Sequence, residues 1–155
     1  MASKTFNHDI NLAAGNTFKK AGVEVLGGVF GGQFLSVESL GISTTTATTY
    51  QEKLKLTTPS LPAGDYVILW STDYGNEFSN KSCQVRLQLN DSVLLSDIGS
   101  SVAIDDWFLN SSGFSKVTLA SGVHEIDIDF QRIAGGGGGD TATIKNARLT
   151  LWQVA

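Results

Sequence analysis

A chain of 155 residues, 17% of them charged, with a net charge of −4 and a pI near 5.0, is long enough for one domain with a real core. The acidic balance, with Lys19-Lys20 as the only adjacent basic pair, argues against a phosphate-tracking surface, so nucleic acid is not an expected partner. The single cysteine, Cys83, excludes an intramolecular disulfide and a multi-cysteine metal cage, and no stretch approaches the roughly 20 apolar residues of a membrane helix.

Residues 1–22 are of mixed polarity, with Phe6, Ile10, Leu12 and Phe18 loosely spaced. They read as an N-terminal arm or first strand preceding a β-domain over residues 23–155, and the four apolar side chains are candidate partner-binding anchors. The start has no continuous apolar core, so synthesis and folding in a cytosol without a secretory signal are expected. Val23–Glu38 is apolar but broken by Gly27-Gly28 and Gly31-Gly32, which suits bulges; no Gly-x-Gly-x-x-Gly fingerprint is present. The Thr-rich stretch from Ser43 continues into Tyr50–Leu56 as one expected long strand, with Leu54 and Leu56 on one face. Pro59 and Leu61–Asp65 form a turn into Tyr66–Thr72, a buried strand with Tyr66, Ile68 and Trp70 on one side.

Tyr74–Lys81 reads as a polar loop. In Ser82–Asn90, Cys83, Val85, Leu87 and Leu89 alternate with Gln84, Arg86 and Gln88, a period of two that puts all apolar side chains on one sheet face. Asn90-Asp91 is a tight turn into Ser92–Ser96. Asp105–Leu109 then leads to an expected loop, Asn110–Gly113. Ser115–Leu119 and Val123–Gln131 read as a hairpin across Ala120-Ser121-Gly122, and Ile126, Ile128 and Phe130 alternate with Glu125, Asp127 and Asp129. Ala134–Asp140 holds five consecutive glycines, and Thr141–Val154 closes the chain as a strand with a bulge expected near Lys145-Asn146, where the apolar phase changes. No helix is suggested. About eight to nine short strands imply an all-β, antiparallel β-sandwich of jelly-roll type.

The chemistry-bearing residues are sparse. Alternate carboxylates on one strand lie about 7 Å apart, so Glu125, Asp127 and Asp129 read as a solvated acidic stripe, paired in part with Arg86 or Lys145. No metal site or cofactor is expected from them or from Asp105-Asp106. His8 and His124 have no local triad or zinc-helix partners, and catalysis is not expected. Cys83, in phase with Val85, reads as a buried small hydrophobe. Trp70 and Trp152 fall within strand patterns and read as core. Trp107, beside Phe108 and a Ser/Gly loop, is open between a sugar-stacking platform and an interface anchor, and Trp107 and Phe108 join the candidate partner-binding residues.

The block Glu38–Leu54, its continuation Leu61-Pro62-Ala63-Gly64-Asp65-Tyr66 into Trp70, and the ending Ala142–Trp152 resemble small jelly-roll virion proteins of tailed bacteriophages. That resemblance implies assembly rather than catalysis. The expected role is a capsid decoration or cement protein in the virion, bound to the major capsid protein lattice as a homotrimer. The alternatives are a carbohydrate-binding module for a host glycan, with Trp107 or Tyr74 as stacking platform, and a tail or baseplate component of the same fold.

Overall fold

A computed structural model describes residues 19–20, 23–24, 33–76, 81–102, 108–133 and 141–154. A short antiparallel ladder joins β1 (Lys19–Lys20) to β2 (Val23–Glu24). The sandwich is built from β3 (Phe34–Ser39), β4 (Ser43–Thr45), β5 (Gln51–Thr57), β6 (Gly64–Asn76), β7 (Lys81–Leu89), β8 (Val93–Val102), β9 (Phe108–Leu119), β10 (Glu125–Arg132) and β11 (Ala142–Gln153). One sheet runs β3-β11-β6-β9, with β4 also on β11; the other runs β5-β10-β7-β8, and every pairing is antiparallel.

This order is that of a jelly roll. The pairs β7·β8, β6·β9, β5·β10 and β3·β11 nest inside one another, as if one long hairpin had been wrapped around a core. Its tip is the Asn90-Asp91 turn, where both residues have positive φ (53° and 52°) and the Ser92 N–H donates to the Leu89 carbonyl at 3.3 Å. That is type I′ geometry, whose twist matches the flanking strands. Glycine adopts positive φ without steric cost, so Asp91→Gly is expected to stabilise the fold by about 0.5–1 kcal/mol, read as a higher midpoint in urea.

Period-two alternation delivers the core. Tyr66, Ile68 and Trp70 of β6 and Ile144, Leu149 and Leu151 of β11 face Val85, Leu87, Ile126, Ile128 and Phe130 of the other sheet, all buried. Each such side chain contributes about 1.5–3 kcal/mol on burial. The bulge lies where the phase change placed it. The β11–β6 register shifts between Lys145 and Arg148, Asn146 takes φ 52°, and the Thr72 hydroxyl donates to the Lys145 carbonyl at 3.1 Å.

Four expectations are corrected. The Ser43–Leu56 stretch is two strands in opposite sheets, because the Ala47 N–H turns to the Thr45 hydroxyl at 3.1 Å and Arg132 takes up the Thr46 and Ala47 carbonyls (3.0 and 2.9 Å), breaking the ladder at the corner. Ser115–Leu119 and Val123–Gln131 are no hairpin: β9 pairs with β6, β10 pairs with β5 and β7, and the connection crosses between sheets. It is held by paired backbone bonds between Leu61 and Gly122 (2.8 and 3.0 Å), with Gly122 at φ 144°. Asn110–Gly113 is strand, fully registered against Asp73–Trp70. The expected polar loop from Tyr74 is strand through Asn76, and Tyr74 is buried.

Candidate binding surface

The outer face of the β3-β11-β6-β9 sheet carries a contiguous group of large apolar side chains. Registry places Phe34, Trp152, Val67 and Lys116 in one row across the four strands, and Ser36, Thr150, Leu69 and Phe114 in the next. Phe34 is 62% exposed, Phe114 74% and Leu69 40%, with Val67 and Trp152 half-buried between them. The third row, Glu38, Arg148, Ser71 and Ser112, is polar, and Arg148 Nε lies 3.5 Å from Glu38. Between the second and third rows a shallow groove of about 430 Å³ is lined chiefly by Leu69, Ser71, Phe114, Arg148 and Thr150. A rigid sheet thus presents an apolar centre with a charged rim, since Lys116 pairs with Asp65 at 2.6 Å on the far side.

Further along the same face, Asp73 accepts from Asn110 (2.8 Å) and Asn146 (2.7 Å), which hold its carboxyl below the usual range. Phe108, at the start of β9, is half-buried with the Lys145 ammonium 3.6 Å above its ring. Lys145 therefore stacks on an aromatic rather than pairing with the acidic stripe. Among the expected partner-binding residues, Phe108 alone lies within the described part of the chain; Phe6, Ile10, Leu12, Phe18 and Trp107 fall outside it.

The other sheet's outer face is polar and internally satisfied over much of its area. Gln131 donates to Gln84 (2.7 Å), Gln84 to Asp97 (2.8 Å), and Arg86 to Asp129 through Nε and a terminal nitrogen (2.9 and 2.8 Å), while Arg86 also lies 3.8 Å over the Tyr50 ring. The acidic stripe is solvated only at Glu125: Asp127 and Asp129 are buried, because β10 is a central strand flanked by long side chains on both neighbours. Lys55 Nζ gathers Glu125 (3.2 Å), Asp127 (3.3 Å) and Glu52 (3.4 Å). Burial pushes the Asp127 carboxyl up to about 6, against the opposing pull of Lys55. Beside it in register, Gln88 buries its side-chain oxygen without a protein hydrogen bond.

No group of three His, Cys, Asp or Glu side chains among the described residues converges as metal ligands. His124 is bound structurally: the Asn90 side-chain Oδ1 accepts from the Glu125 N–H (2.9 Å), which turns the Asn90 side-chain nitrogen to His124 Nδ1 (3.2 Å) and leaves Nε2 to donate to the Ala120 carbonyl (2.9 Å). Cys83 is fully buried, and desolvation pushes its thiol up to about 12, far from a reactive thiolate. Tyr74, a proposed stacking platform, is core and cannot serve as one.

Sequence reasoning passed over Phe34, Leu69 and Phe114, and assigned Trp152 to the core. Two signals pointed to them. The run Tyr66-Val67-Ile68-Leu69-Trp70 is apolar in both phases, so one set must face outward, and Phe114 is an aromatic in the outward phase of Asn110, Ser112 and Lys116.

No protein-family model matches the chain, and no curated protein matches it. Solved structures similar to it include the Eiger TNF of S. frugiperda, with TM-score 0.47 and 12% identity over 79% of this chain and 93% of that one. Dimeric latent PorU from Porphyromonas gingivalis gives TM-score 0.49 and 10% identity over 77% of this chain and 13% of that one. The EclA C-terminal domain, a sugar-binding protein, gives TM-score 0.43 and 18% identity over 92% and 84%.

Proposed function

We propose that this chain is a non-catalytic assembly module, a bacteriophage virion protein that decorates the head by docking its β3-β11-β6-β9 sheet onto the capsid lattice. The observation that carries the reading is the contiguous exposed group Phe34, Leu69 and Phe114, packed around half-buried Trp152 and Val67. A patch of this kind on a rigid sheet loses water favourably against a protein surface, and aromatic side chains concentrate binding energy there. The fitting partner has an apolar centre and polar groups able to meet Arg148, Glu38 and Lys116. The phage assignment itself rests on the sequence resemblance.

The test adds purified protein to undecorated capsids and measures occupancy and resistance to heat. Phe114 is largely exposed, so Phe114→Asp is expected to keep the fold within about 0.5 kcal/mol while weakening capsid binding at least tenfold, about 1.4 kcal/mol. Wild-type protein that leaves capsids bare, or a variant that binds them undiminished, overturns the reading. Specific binding to a single glycan with no effect on capsids replaces it with the carbohydrate-binding alternative, and occupancy of tails instead of heads moves the protein to the tail.

A further inference from the structure

We propose that β9 is a homotypic pairing edge, through which two copies of this chain join their β3-β11-β6-β9 sheets into one continuous sheet about a two-fold axis. An unpaired edge strand is a template for another strand, and proteins that stay apart blunt their edges with bulges, charges or brevity. Three of the four sheet edges here are blunted. β3 has six residues and a charged Glu38; β5 is bulged against β10 at Ile128/Asp129 and carries Glu52, Lys53 and Lys55; β8 is bulged against β7 at Leu87/Gln88. β9 is different. It runs for twelve residues in unbroken register with β6, from Gly75↔Phe108 to Gly64↔Leu119, contains no proline, and carries one charge, Lys116. Among the described residues no strand pairs with its other side.

The side chains of β9 favour a second copy as the occupant. In an antiparallel pair, residues directly opposite must share a face, so a self-pairing has its dyad at a residue. With the dyad at Gly113, residues 108–118 all pair. The inner face then sets Leu109, 38% exposed, against Val117 of the second copy, and Ser111 against Ser115 of the second copy. On the outer face Phe114 comes beside Ser112 of the second copy, and Lys116 beside Asn110. No like charges meet, and Gly113 at the dyad, with Ser112 of each copy opposite Phe114 of the other, lets the backbones approach to ladder distance. An isologous contact of this type closes at two copies. The resemblance to decoration proteins implies three, whereas this edge builds a pair. The inference stands on the edge itself and is independent of which surface the apolar face meets.

Sedimentation velocity of the full chain tests it, with Ser112→Lys and Ser112→Glu as variants, since residue 112 and its copy are diagonal neighbours across the dyad. The wild type is expected to sediment at twice 16.5 kDa. Each variant is expected to raise the dimer dissociation constant at least tenfold, and an equimolar mixture of the two to recover the dimer. Hydrogen exchange on the wild type reads the same contact without mutation: alternate β9 amides, those facing away from β6, should slow as concentration rises. A wild type that stays monomeric at 100-fold dilution steps up to its solubility limit, a trimer, a dimer indifferent to both variants, or β9 amides insensitive to concentration each overturns the proposal.

Discussion

Asp127→Asn is expected to raise the melting temperature at pH 7.5 by about 5–10 °C, by roughly half as much at pH 5, and hardly at all below about pH 3.8. The folded carboxyl titrates at about 6, above the 3.8 of an unburied aspartate, because burial disfavours its charged form. Between those values the folded chain holds a proton that the unfolded chain has released, so stability falls as pH rises through the window and is flat above it. Holding the carboxyl at about 6 costs the ionised fold of the order of 2–3 kcal/mol. The amide removes that cost while keeping the shape, and it can donate to the buried Gln88 oxygen beside it. Asp65 and Asp73, held low by hydrogen bonds, lose their contributions only at more acid pH. Lys55→Met is the converse change. It strips Asp127 of its counter-charge, so melting should fall at pH 7.5 and recover at pH 5, and combining it with Asp127→Asn should remove most of the loss. Equal effects of Asp127→Asn at pH 7.5 and pH 5 would show that the carboxyl is not the titrating group.

The same strand shows what could and could not be read from the chain. Ile126, Ile128 and Phe130 announced themselves by strict alternation, as did Val85 and Leu87, and the Asn90-Asp91 turn and the bulge at Asn146 followed from turn chemistry and a phase change. Alternation says which side chains share a face, yet not whether the polar face meets water. Asp127 sits at the centre of a four-stranded sheet under its neighbours' long side chains, a consequence of strand order that no local pattern carries. The misassigned connection at Gly122 has the same origin. A short glycine-containing segment reads as a hairpin, but in a jelly roll it serves equally to carry the chain from one sheet to the other. Asn110-Ser111-Ser112-Gly113 has the composition of a loop and becomes strand because β6 offers it a complete set of partners. The candidate surface was the least legible part, since it depends on Phe34, Leu69 and Phe114 being brought to one sheet face from strands far apart in sequence.

Beneath that surface lies one close contact, and breaking it should have the largest effect on stability. Trp70 lies directly opposite Gly113 in register, and a Cβ placed on Gly113 would stand 3.2 Å from the indole Nε1 and Cζ2. The ring fills the space that a side chain on β9 would occupy. Trp70→Ala should therefore cost about 3–5 kcal/mol through lost burial and an uncollapsed cavity. Gly113→Val forces two methyl groups against the ring and should cost about 1–3 kcal/mol. The double variant should cost less than the sum, because valine occupies part of the volume the indole leaves. Gly41→Ala, where nothing lies within 4 Å of the added carbon, serves as the control and should be close to neutral. Urea unfolding of the wild type and these four variants measures all of these terms. Since Gly113 is flanked by Ser112 and Phe114, Gly113→Val should also weaken docking and self-association by displacing β9, even where the fold survives. Strict additivity of the two core changes would mean that Trp70 and Gly113 do not share the space the contact requires.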